Sequence, residues 1–275
     1  MTLLGIREAV VATADLPAAV AFLRRAFGFE VVEETDGGAL LAAAGAPAGR
    51  LRLIAQPGAV PQDAAVWDLG VRLLGIYSRD LEQTVEAIES AGGASRRPVS
   101  YPYGAATLSE LVGYGRDGVW WTVPQAVTGA HRPSDAYAAD PQRLHSELHS
   151  VVLVVDDHDD AVAFFEAGGL GTVFDGTMAG SEFEELVGMP AGAELRLTFM
   201  GGPEHRPARL EIMSFTGVAG QRTDAGGGVQ RIVYFCDDVA ATREALIAAG
   251  AEQADDGTLR GPAGLEIALV QEENR

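Results

Sequence analysis

The letters AVAF occur twice in this chain, at Ala19–Phe22 and Ala161–Phe164, each four residues after an aspartate, Asp15 and Asp157. A fixed internal repeat limits what a chain can fold into more than any single motif does. A second pair appears when SRDLEQTVEAIESAGG is set against CDDVAATREALIAAGA, which aligns Asp80 with Asp238 and Gly92 with Gly250. The order along the chain is A, B, A′, B′. Each copy opens on a β-rich run (AVVAT, LLGIY, VVLVV, IVYFC) and passes through its aspartate into an apolar-faced helical stretch. An aspartate suits that junction because its carboxylate accepts the orphan N–H groups of the first turn. In the first copy Ala19, Phe22, Leu23 and Phe27 form the apolar face, and Gly28, Gly92, Gly168 and Gly250 are placed to end the four helices. Further strands close each copy, ending at RLRLIAQ, GVWWTVPQ, RLEIMSF and GLEIALVQ.

Each unit therefore reads as β-α-β-β-β, in the α+β class. One such unit leaves a sheet face uncovered, so units must pair. The polar, proline-bearing stretch VTGAHRPSDAYAADPQ separates B from A′. The expected organisation is two tandem cup-shaped domains. The first is 1–126, with modules 2–56 and 66–126, followed by a linker at 127–144. The second is 145–275, with modules 145–216 and 226–275.

Composition narrows the partners. The net charge of −19 over 275 residues repels nucleic acid and anionic membrane. No apolar run approaches the roughly 18 residues of a membrane helix, and MTLLGIREAV has no secretory pattern. The single cysteine, Cys236, excludes an internal disulfide and a cysteine zinc cluster. The expectation is a cytoplasmic monomer or homodimer with a small-molecule ligand.

Several stretches are similar to one known group: VVATADLPAAVAFLRRAFGFEV, VVLVVDDHDDAVAFF, ARLEIMSF, and the endings RDGVWWTVPQ and GPAGLEIALVQ. They resemble the vicinal oxygen chelate superfamily, which includes glyoxalase I, methylmalonyl-CoA epimerase, extradiol dioxygenases, fosfomycin-resistance enzymes and bleomycin-binding proteins. The resemblance implies glyoxalase-like cups with the ligand inside. It also implies a divalent metal held by His, Gln or Glu, from the first strand seven residues before the capping Asp and from the middle of the last strand.

Those positions here are Glu8, Leu73, Ser150 and Arg231, then Arg52, Thr122, Glu211 and Ala268. Only Glu8 and Glu211 are metal-ligand types, and Arg52 and Arg231 would repel a cation. No cofactor is expected, although a divalent metal stays open. His149 lies one residue out of register and would turn inward only through a bulge, which would make His149 and Glu211 two ligands of a partial site. His131, His158 and His205 read as surface residues.

Without a metal, Glu8 facing Arg52 in one cup and Glu211 facing Arg231 in the other would each pair a general base with an anion clamp. Structural ion pairs would look the same in sequence. Aromatic residues concentrate in unit B. Tyr77, Tyr103, Trp120 and Trp121, with Thr122, are candidate binding residues, as are Ser150, Phe183 and Met189 in unit A′. The expected function is a metal-independent lyase or isomerase acting on a small carbonyl or aromatic metabolite. The alternatives are sequestration of a planar molecule, as in bleomycin-resistance proteins, and a metal enzyme with non-standard ligands.

Overall fold

A computed structural model describes residues 2–59, 64–103, 106–127, 131–203, 208–222 and 226–272. Unit 1 contains β1 (Leu3–Thr13), α1 (Leu16–Phe27), β2 (Glu30–Thr35), β3 (Gly38–Ala42) and β4 (Arg50–Ala55). Unit 2 contains β5 (Gly70–Ser78), α2 (Leu81–Ser90), β6 (Ala94–Ser95), β7 (Val99–Tyr103), β8 (Ala106–Tyr114) and β9 (Trp120–Pro124). A short helix, α3 (Asp135–Ala139), lies in the linker. Unit 3 contains β10 (His145–Val154), α4 (His158–Ala167), β11 (Gly171–Ala179), α5 (Ser181–Val187), β12 (Glu194–Gly201) and β13 (Arg209–Thr216). Unit 4 contains β14 (Gly228–Cys236), α6 (Val239–Ala248), β15 (Glu252–Gln253), β16 (Leu259–Arg260) and β17 (Glu266–Gln271).

The four repeat helices form where the sequence places them. Asp15, Asp80, Asp157 and Asp238 each accept a backbone N–H three residues on, from Ala18, Gln83, Asp160 and Ala241, at 3.0 Å. Gly28 ends α1 in the left-handed region, with φ 68°. At the end of α4 the positive φ falls on Gly169, one residue after the expected Gly168.

The pairing of units differs from the tandem expectation. Among the described residues the strands form two sheets, ordered β15-β16-β17-β14-β1-β4-β3-β2 and β11-β12-β13-β10-β5-β9-β8-β6, with β7 on β8. Unit 1 thus shares a sheet with unit 4, and unit 2 with unit 3. The first strands join each pair, β1 antiparallel to β14 and β10 antiparallel to β5. Both sheets therefore combine modules from the two halves of the chain.

Alternation within each strand separates two faces. Val151 and Leu153 of β10, and Val155 just past its end, join a large buried cluster that also holds Leu74, Ile76, Phe22 and Phe27, while Val152 and Val154 join a second cluster on the cup side. The large cluster spans both sheets. Phe27 of α1 packs on Trp121 of β9 with ring centroids 4.4 Å apart, and Phe165 of α4 reaches Tyr234 of β14 at 6.4 Å. Burying each such ring contributes on the order of 2–3 kcal/mol. No described helix is long and apolar enough to cross a membrane.

Candidate functional site

The nine-stranded sheet curls around a cavity of about 220 Å³. Its walls are apolar, formed largely by Leu73, Phe183, Leu186, Leu195, Leu197 and Met213, and its floor is polar.

His149 reaches that floor through a β-bulge. Leu148 pairs with Ile76 and Ser150 with Gly75, which leaves His149 as an extra residue in β10. An inserted residue re-aims its side chain, and here the imidazole lies flat on Tyr77 with centroids 4.0 Å apart and 13° between planes. Gly75 makes room for it. A Cβ there would sit 2.1 Å from Ser150 Oγ and 3.0 Å from His149 Nε2. Among the described residues, both ring nitrogens of His149, and Ser150 Oγ beside them, are buried without a hydrogen-bond partner from another residue. Burial, and then the guanidiniums of Arg209 and Arg132, hold the His149 pKa well below the usual histidine value, so the ring is neutral.

On β13, Glu211 and Arg209 lie two residues apart on the cup face. Arg209 Nε and Nη2 donate to Glu211 Oε1 at 2.9 and 2.8 Å. The same guanidinium covers the ring of Phe199 at 3.5 Å. This corrects the expected partner of Glu211, because Arg231 belongs to the other sheet and pairs there with Glu266 at 3.1 Å. The physical reason is the crossed pairing of units, which sends β13 and β14 to different sheets.

The linker contributes His131 and Arg132 to the cavity lining. It is docked by its own contacts. Glu147 of β10 accepts from Ser134 Oγ at 2.5 Å and from the Asp135 backbone N–H at 2.8 Å, and Tyr137 Oη donates to the carbonyls of Tyr77 and Leu144 at 3.0 and 2.9 Å. Arg132 Nη1 donates to the His149 carbonyl at 3.4 Å. Burial, reinforced by Arg209, lowers the Arg132 pKa to about 10, so it remains cationic at neutral pH.

Sequence reasoning missed Glu110 on β8. It lines the cavity, accepting from the hydroxyls of Tyr101 and Thr122. Burial raises its pKa, and the two hydroxyls oppose that rise. Its signal was faint: a lone Glu in SELVGY, on the strand before the motif-bearing GVWWTVPQ.

Of the expected site residues, Tyr77, Thr122, Phe183 and Glu211 line the cavity together with His149. Ser150 lies beneath it, next to Gly75. Trp120 is on the cup side, but its indole N–H donates to the Ala64 carbonyl at 2.9 Å and its ring packs into the apolar cluster rather than lining the cavity. Trp121 faces the opposite way, into the large core, because strand neighbours point to opposite faces. Met189 is buried in the cup-side cluster behind the lining. The side chain of Tyr103 lies outside the described residues, as does His205. His158 is a buried residue, contrary to the surface reading, with Ser214 Oγ at 2.9 Å and Thr198 Oγ1 at 2.7 Å from its ring nitrogens.

Glu8 and Arg52 meet as expected, in the eight-stranded sheet. Arg52 Nε donates to Glu8 Oε1 at 2.8 Å, while Glu8 Oε2 is buried without a partner. Neither lines the cavity of the other sheet.

Of the positions aligned with the family's metal ligands, only Glu211 is a ligand type in this cavity. The aligned positions bring Leu73, Thr122, Ser150 and Glu211 together, Glu211 is engaged by Arg209, and two guanidiniums line the same space. Among the described residues no group of three or more His, Cys, Asp or Glu is placed to hold an ion.

Residues 5–123 match the model of the Glyoxalase/Bleomycin resistance protein/Dioxygenase superfamily. No curated protein matches the sequence. Among solved structures, glyoxalase I from Zea mays superposes with a TM-score of 0.67 at 18% identity, covering 97% of this chain and 92% of that one. A putative dioxygenase from Bacillus subtilis gives a TM-score of 0.66 at 12% identity, covering 98% and 86%. At such identities the likeness is one of fold.

Proposed function

We propose that this glyoxalase-like chain binds a small, largely apolar molecule bearing an anionic or carbonyl oxygen in the cup of its nine-stranded sheet. We further propose that it acts there as a metal-independent lyase or isomerase. The observation that carries this reading is the floor of the cavity, where Arg209 and Arg132 stand beside Glu211 under apolar walls. Guanidiniums in a water-poor cup stabilise a carboxylate or a developing enolate, and a carboxylate at the same floor is the group that takes a proton from the neighbouring carbon. Glu110, on the other side of the unit 2 strands, supplies a second carboxyl in different surroundings. Two carboxyls set apart in this way suit acid and base roles in one proton transfer.

Sequestration without chemistry is the second reading, supported by the aromatic content of unit 2. A cationic drug is disfavoured as its ligand, because it would face two guanidiniums. Each cup is completed within one chain, so a monomer suffices.

The test is deuterium exchange from solvent into a panel of small carbonyl acids, with protein dialysed against a chelator. Wild type is expected to catalyse exchange into at least one, and Glu211→Gln to lose it. Activity that disappears with chelation and returns with a metal ion would overturn metal independence. Exchange that survives Glu211→Gln would overturn the assigned base. Binding of a compound recovered unchanged would favour sequestration.

A further inference from the structure

Among the described residues, His149 lines the cavity with both ring nitrogens buried and without a hydrogen-bond partner from another residue. The imidazole is almost fully buried, stacked on Tyr77 and set over Gly75, in a cup otherwise rich in satisfied polar groups. Leaving such groups unpaired costs on the order of 1–3 kcal/mol, and the stack on Tyr77 holds the ring at the cavity. Both facts make sense when a ligand supplies the missing partner.

Its neighbours define that partner. The guanidiniums of Arg209 and Arg132 line the same cavity as the ring, with the imidazole of His131 beside them. A carboxylate received by them therefore brings its adjacent carbon to the imidazole. A neutral imidazole offers one N–H donor and one acceptor. A hydroxyl on that carbon can meet either nitrogen, and an oxo group can meet the N–H. An ammonium there would add a third cation beside two guanidiniums. The apolar walls, with Phe183 and Phe199, suit an aryl or alkyl body.

We propose that His149 sets the ligand class of this cup as apolar 2-hydroxy or 2-oxo carboxylates, with the carboxylate on Arg209 and Arg132 and the 2-oxygen on the imidazole. The inference rests on the anion-binding reading above and narrows it.

The test uses three probes of one shape, phenyllactate, 3-phenylpropionate and phenylalanine, titrated calorimetrically into the full chain. Phenyllactate is expected to bind at least ~10-fold tighter than 3-phenylpropionate, with phenylalanine weakest, because a lost hydrogen bond to a buried group is worth about that factor. His149→Leu should reduce the first gap to below ~2-fold while 3-phenylpropionate keeps its affinity. Because that variant could misfold, the wild-type protein with 15N-labelled histidine provides a second reading. The His149 ring nitrogens should shift with phenyllactate and stay in place with 3-phenylpropionate. Equal affinities for the first two probes, or unmoved ring resonances with phenyllactate bound, would overturn the role of His149 and leave the anion site standing. Failure of all three to bind would overturn the carboxylate reading and this inference together.

Discussion

The two cups are built on the same plan and differ at nearly every position that matters. In the nine-stranded sheet His149 is the bulged residue and lies on Tyr77. In the eight-stranded sheet the same bulge falls between Ile6 and Glu8, so Arg7 is the extra residue and lies over Phe235 at 5.7 Å. Strand pairing sets Glu8 against Ser150, Val233 against Gly75, Arg50 against Arg209 and Arg52 against Glu211. One floor thus holds a neutral ring over a glycine, and the other holds Arg50, Arg52 and Glu8, with Arg52 donating to Glu8. The walls differ too. Unit 3 raises β11, α5 and β12 beside its cup, whereas unit 4 offers only the two-residue strands β15 and β16. A shared backbone device, the bulge, serves a cavity in one sheet and an ion-paired surface in the other. Whether a cup can hold a ligand depends on wall length and on one missing Cβ.

The sharpest way to break this contrast is to give one floor the other's residue. Gly75→Val places the eight-stranded sheet's side chain where a Cβ alone would come within 2.1 Å of Ser150 Oγ. Overpacking of this kind is expected to cost about 3 kcal/mol, read as a fall in the denaturant midpoint, and to displace His149 from Tyr77. A Gly75→Val protein as stable as wild type would mean that the floor is looser than the glycine's surroundings indicate.

The second test uses acid. All five histidines fall between positions 131 and 205, so the unit 1 and unit 4 sheet has none. His145 is held to a pKa of about 3 by burial first and Arg143 second, and burial also lowers His149 and His158. A pKa below the unfolded value means the fold holds the neutral ring. For His145 the stability is complete above about pH 6.5 and is lost as the pH falls toward 3, at roughly 1.4 kcal/mol per pH unit, and His149 and His158 add to the loss in the same direction. Amide exchange at pH 5 should therefore rise in β10 and β5 before β1 and β14. His145→Gln should flatten the pH slope between 6 and 4.5. Equal loss of protection in both sheets would show that the two halves open as one unit, with no acid-sensitive side.

Much of this was legible in the sequence, for stated reasons. The four aspartate caps and the α1 face followed from local chemistry, which needs only a few neighbouring residues. Tyr77, Thr122, Phe183 and Glu211 line one cavity, although the sequence assigned the first two and the last two to different cups and chose neither cup as the active one. The pairing of units was not legible. Any two units can close a cup, and nothing local in β1 distinguishes β14 from β5 as its antiparallel neighbour. That one ambiguity gave Glu211 the wrong arginine, Arg231 instead of Arg209. Arg132 and His131 were missed because a polar, proline-bearing stretch reads as a spacer, while its docking depends on Glu147 and Tyr137 finding partners in three dimensions. Glu110 was missed because an isolated carboxylate in a strand carries no pattern.

The smallest expected effect compares a buried carboxyl from each cup. Glu110 lies against the hydroxyls of Tyr101 and Thr122, and burial raises its pKa. With a raised folded pKa, any stability it contributes is present below the ordinary carboxyl range and is lost as pH rises through the folded value. Glu110→Gln keeps the shape and removes the ionisation, so it should equal or exceed wild type at pH 8 by about 0.5–1 kcal/mol and lose that advantage near pH 4. Glu8 has a charged partner instead, since its Oε1 receives Arg52 Nε at 2.8 Å. Glu8→Gln leaves that guanidinium only the longer, exposed pair with Glu33 at 3.6 Å and should cost about 1 kcal/mol at pH 8. Thermal melts of both variants at pH 4 and 8 decide the matter. Opposite signs at pH 8 would support one cup arranged around a carboxyl kept neutral and another around a fixed ion pair. A destabilised Glu110→Gln at pH 8 would show that Glu110 is held as a carboxylate, and the acid role proposed for it would fall.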